Sequence, residues 1–128
     1  MQTWIKIDKN SDFSIHNLPF GVYSIENKNK RIGVAFGDLI LDLESVNKLG
    51  VFDELNINSN VFVSNYLNDF ISLGKKTTVK AREILQKELS NISSVLRNDK
   101  SIFVKQKDVT MHMPVKIGDY TDFYSSIE

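Results

Sequence analysis

The chain contains no cysteine. Disulfide frameworks, thiolate zinc sites and cysteine nucleophiles are therefore excluded, and a reducing compartment is compatible with the composition. Net charge is absent too, because sixteen Lys and Arg balance sixteen Asp and Glu. Without an overall field, neither nucleic acid nor an anionic membrane is expected as a partner. Lysines gather at Lys28 to Arg31, Lys75-Lys76 and Lys105 to Lys107, but acids are interspersed and a solvated face accounts for these runs. No apolar stretch approaches the length of a membrane span. The first ten residues carry Lys6, Asp8 and Lys9 where a signal peptide needs an unbroken apolar run. A cytoplasmic location is the expectation. Also missing are a Ser-His-Asp grouping, a P-loop and a Rossmann glycine pattern.

What remains is ordinary globular material. The 128 residues are 41% hydrophobic and 25% charged, which suits one domain with its own core rather than a disordered chain. The segment 13–20 holds Phe13, Ile15, Leu18 and Phe20 around His16-Asn17, and reads as an irregular apolar stretch that packs against something. A period of two follows. Gly21 to Glu26 reads as a strand, Asn27 to Lys30 as a polar turn and Arg31 to Phe36 as the return strand. Ile32, Val34 and Phe36 share one face, with Gly33 and Ala35 on the other. Gly37-Asp38 is a tight turn, and Leu39 to Leu43 closes a meander.

The period then lengthens. Leu43 to Leu49 is expected to be a short helix, with Asp42 as its N-cap and Gly50 as its stop. Ser64 is a candidate cap for a helix presenting Tyr66, Leu67, Phe70 and Ile71, ended by Gly74. Thr77 or Thr78 is expected to begin the longest helix, whose core stripe is Ala81, Ile84, Leu85, Leu89 and Ile92. Strand character returns at Ile102-Phe103-Val104 and again at Asp108 to Val115, where Val109, Met111 and Met113 alternate with polar residues. Pro114 cannot donate to a ladder and marks a candidate boundary between a domain of residues 1–113 and a segment of residues 114–128. The expected class is mainly β with inserted helices, as an SH3-like barrel, and an open α+β sandwich is the alternative.

Candidate chemistry is concentrated at the end. Gly118 to Ser126 crowds Asp119, Asp122, Tyr120, Phe123 and Tyr124 behind a glycine. Aspartates suit calcium or magnesium, which demand several hard oxygens, and two carboxylates are too few to complete such a site. A tyrosine hydroxyl beside a metal-bound carboxylate can donate to a substrate oxygen, and Tyr124 has that possibility. By spacing alone, the bland alternative is a capped turn with one solvated aspartate. His16 and His112 read as buried histidines satisfied by backbone hydrogen bonds.

Three blocks together resemble one family. Ser11 to Tyr23, then Arg31 to Asp38 with Leu41-Asp42-Leu43, then Thr110 to Pro114 with Ile117 to Ser126, run in the order found in the fumarylacetoacetases. The stretch from Asn47 to Lys107 matches loosely. The resemblance implies an SH3-like barrel followed by a larger, β-rich catalytic domain that dimerises. It implies hydrolysis of the carbon–carbon bond of 4-fumarylacetoacetate to fumarate and acetoacetate, in tyrosine and phenylalanine breakdown. A calcium or magnesium ion would hold the substrate's dicarbonyl oxygens, and a histidine–glutamate pair would activate water. Asp122 falls on a metal-binding aspartate of that motif and Tyr124 on a substrate-contacting tyrosine, while no ligand role passes to Asp119 or Tyr120. The catalytic histidine would fall immediately beyond Glu128, and Ile127 departs from a position that is often basic. No catalytic residue is assigned within the chain.

The leading expectation is thus an N-terminal piece of such a hydrolase, inactive alone, whose partner is its own catalytic domain. The rival is a stand-alone SH3-like interaction module, whose peptide groove needs exposed rings from Tyr23, Phe36 and Phe20. A third possibility is a decayed enzyme-derived interaction domain. Loss of the catalytic domain is expected to expose an apolar face around Phe13, Leu18 and Phe20 and to promote self-association.

Overall fold

The computed structural model describes residues 3–5, 15–26 and 28–113. Five antiparallel strands form the sheet: β1 (Phe20–Ser24), β2 (Arg31–Phe36), β3 (Leu39–Asp42), β4 (Phe103–Lys105) and β5 (Thr110–His112). Their spatial order is β4-β3-β2-β1-β5. The alternating residues of the first three strands form the meander expected from their period. Phe20 pairs with Val34 and Val22 with Ile32, and Val34 pairs in turn with Leu41. One face of the sheet therefore carries Val22, Ile32, Val34, Phe36 and Leu41, all fully or almost fully buried. The opposite face carries Gly21, Tyr23, Gly33, Ala35 and Ile40.

Between β3 and β4 the chain makes a helical excursion that covers the first face. Helix α1 (Leu43–Lys48) starts where expected, because the Asp42 carboxylate accepts from the Ser45 backbone N–H, and Gly50 closes the end by donating to Asn47. Helix α2 (Asn68–Ile71) is a single turn. Ser64 Oγ accepts from the Tyr66 N–H in the turn that precedes it. Leu67 and Phe70 are buried, whereas Ile71 is half exposed. Helix α3 (Lys75–Ser90) begins two residues before the first threonine, and Ala81, Ile84, Leu85 and Leu89 form the expected buried stripe. Ile92 does not continue it. Asn91 is extended, the helical period stops, and Ile92 is 69% exposed. Phe20, Phe70, Phe62 and Phe52 link sheet and helices through successive ring contacts.

The architecture is mixed α/β, with the sheet unclosed among the described residues. Its two edges are nevertheless close along the chain. Flat, the edges of a five-stranded sheet lie about 19 Å apart, four spacings of ~4.8 Å. The link from β4 to β5 is a 3-10 turn, Gln106–Asp108, plus Val109. At a rise of ~2 Å per residue in such a turn, that link spans the distance only if the sheet curls. Gln106 fixes the curl by donating backbone N–H to Asp38 and its amide to Gly37, gripping the β2–β3 turn.

Two further expectations need correction. Leu18 is fully buried in the core and Phe20 is half-buried, so neither builds the exposed apolar face anticipated, and Phe13 lies outside the described residues. His16 is exposed rather than buried. Where the sequence showed only alternation, Met111 and Met113 prove to be 56% and 59% exposed, Met111 lying opposite Tyr23 on the edge strand β5.

Candidate functional site

Asp122 and Tyr124, with Asp119, Tyr120 and the proposed boundary at Pro114, lie outside the described residues. Among the described residues, no three His, Asp or Glu side chains converge to hold a metal ion. These residues therefore do not by themselves fit the calcium or magnesium that the resemblance implies. They do form two features on the sheet face away from the helices.

The first is a polar lock. Strand pairing sets Tyr23 opposite Arg31 and Gly33 opposite Asp42, which brings three distant side chains together at one end of the sheet. Asp42 Oδ1 accepts from Tyr23 OH and Arg31 Nε, each at 2.7 Å. Its Oδ2 accepts from Arg31 Nη2 and Ser45 Oγ, also at 2.7 Å, and from Ser45 N at 3.2 Å. Glu44 adds a 3.3 Å ion pair to Arg31, and Lys48 reaches Glu44 one turn on. Burial works to raise the Asp42 pKa, but the donors from Arg31, Tyr23 and Ser45 outweigh it and hold the carboxylate below its usual range. Burial, and then the bond to Asp42, pushes the Tyr23 phenol well above its ordinary value. The bond to Asp42 raises Arg31 further still. A carboxylate offers about four lone-pair sites, and five donors already occupy them here. Asp42 is thus a structural anchor, with nothing left for a metal or a proton transfer.

The second feature is a trough of about 230 Å³. Gly21, Gly33 and Ala35 lie along it on the sheet face away from the helices, with Ile40 and Met111 on the same face and Pro19 at its border. A Cβ at Gly33 would lie 2.5 Å from Ile40 Cγ2, so the trough depends on glycine there. The Gln106 amide borders the trough but is engaged by Gly37 and Leu39 carbonyls.

The histidines divide. His112 Nε2 lies 2.7 Å from Ser24 Oγ, a side-chain partner rather than the backbone partner expected. Ser24 is only 5% exposed and His112 half-buried, and the pair stitches β5 to β1. Of the rings required by a peptide-binding module, Tyr23 and Phe36 are buried in full. The sequence placed Tyr23 in a strand and identified Asp42 as a cap. Their convergence with Arg31 depends on strand register, for which the local sequence carries no signal.

The comparisons with known proteins agree on one family. The model described as "Fumarylacetoacetase N-terminal" matches residues 16–114. Fumarylacetoacetase from Rattus norvegicus is 44% identical over 131 aligned residues, covering 98% of this chain. The Homo sapiens protein is 45% identical with 97% of the chain covered, and that of Caenorhabditis elegans 42% with 99% covered. The chain spans about a third of these relatives, 31% of the rat and human proteins and 32% of the nematode one. By the family match across most of its length, and by these identities, the chain belongs to the fumarylacetoacetase N-terminal family.

Proposed function

We propose that this chain is the N-terminal portion of a fumarylacetoacetase that hydrolyses 4-fumarylacetoacetate to fumarate and acetoacetate in tyrosine and phenylalanine catabolism. Identity above 40% across nearly the whole chain to enzymes bearing that name carries the reading. The portion alone is inactive under this reading, since the resemblance puts the catalytic histidine and the remaining metal carboxylates outside it. In the parent enzyme Asp122 contributes one oxygen to a calcium or magnesium ion, which supplies Lewis-acid polarisation, and Tyr124 contacts the substrate. The parent acts as a cytoplasmic homodimer.

The domain's contribution is positional. Its sheet, closed into an SH3-like barrel in the parent, gives the catalytic domain a rigid base from which the Asp122 segment extends. The strand order supports that closure, because β4 and β5 are the two edges and a four-residue link joins them. Sequencing the gene beyond codon 128 tests the reading. It requires a histidine codon next and a long open frame bearing further acidic ligands. A stop at that point would overturn it and favour a protein-interaction module.

A further inference from the structure

The trough on the sheet face away from the helices has a shape and chemistry that narrow its occupant. It is apolar, and Gln106 at its border spends its amide on the Gly37 and Leu39 carbonyls. The nearest cation on that face, Arg31, is held by Asp42 and Glu44. An anionic dicarboxylate would find no free donor here. At about 230 Å³ the trough is also smaller than the usual small-ligand pocket. It suits one or two apolar side chains set over Gly21, Gly33 and Ala35.

Which polypeptide supplies them follows from continuity. Met111 forms one wall, and it lies on β5, an edge of the sheet and the last strand among the described residues. The relatives continue far beyond: the rat protein matches over only 31% of its length, leaving 69% (100 − 31) unmatched. A tethered segment meets the trough at an effective concentration of about millimolar. A second copy would have to gather an interface of roughly 1,000 Å² around so small a depression. We propose that this trough docks the downstream two thirds of the polypeptide, which inserts one or two apolar side chains between Met111 and Ile40. The inference rests on the fumarylacetoacetase reading for the existence of that downstream part.

The test is site-specific photo-cross-linking in the full-length gene product. A benzoylphenylalanine replaces Met111, which is exposed, and in a second preparation Pro19, a partly buried residue at the border of the trough. After irradiation, peptide mass spectrometry should find both probes joined within one chain to peptides beyond residue 128. Cross-links to a second copy, or none, would overturn the proposal. Hydrolysis of 4-fumarylacetoacetate is assayed on the same preparations before irradiation. Hydrolysis without intrachain cross-links defeats the docking and leaves the activity standing, whereas cross-links without hydrolysis do the reverse.

Discussion

Gly33 shows how much a single position can decide. A methyl group there meets the Ile40 side chain at 2.5 Å and the Leu41 carbonyl at 3.0 Å, and the carbonyl belongs to a paired strand that cannot step aside. Gly33→Ala should cost about 1–3 kcal/mol, the usual price of overpacking. Urea unfolding of the variant measures it, and an unchanged midpoint would show that β3 yields more easily than its pairing suggests. Asp42 is the second decisive residue. Its folded pKa lies below the ordinary carboxylate value of about 3.9. Between those two values the unfolded chain binds a proton that the folded chain does not. Stability therefore rises with pH in that window, is fully present above it, and is lost as pH falls through the folded value. Asp42→Asn leaves the Tyr23 hydroxyl and Arg31 poorly matched and weakens the α1 cap. It should cost about 2–4 kcal/mol at neutral pH. Chemical denaturation between about pH 5 and pH 2 should then show a shallower acid loss in the variant than in the parent chain.

At the scale of elements, α3 depends on how it begins. Gly74 precedes it at φ 100° and ψ 157°, a region open essentially to glycine, and a Cβ there would meet nothing within 4 Å. Gly74→Ala should therefore cost about 1–3 kcal/mol from backbone strain alone. Combining it with Gly33→Ala should give an additive loss in thermal melts, because the two glycines act by unrelated means. The elements also differ in how far the sequence revealed them. The meander and α1 were legible because their signals are local: alternation in β2, a carboxylate cap at Asp42 and a glycine stop at Gly50. The buried stripe of α3 was legible for the same reason, until the helix ended before Ile92. Met111 was not, since alternation states that Met111 and Met113 share a face but not which face the core occupies. The Tyr23–Arg31–Asp42 lock was hidden for a related reason, because register across three strands joins residues up to nineteen positions apart. The candidate site itself was visible only through resemblance, and its Asp122 and Tyr124 lie outside the described residues.

For the whole molecule, the sheet has one face sealed by helices and another that holds the polar lock and an apolar trough. The helical face supplies the core, so the chain does not need a second domain to bury Leu18, Phe36 or Leu85. The other face is organised around groups already satisfied by one another, and it offers no reactive centre among the described residues. Such a body suits the platform role proposed for it. The direct measurement is hydrolysis of 4-fumarylacetoacetate, with calcium or magnesium supplied, by the full-length gene product and by the 128-residue chain in parallel. The account predicts turnover by the full-length protein and none by the chain alone. Turnover by the 128 residues alone, or none by the full-length protein, would contradict it.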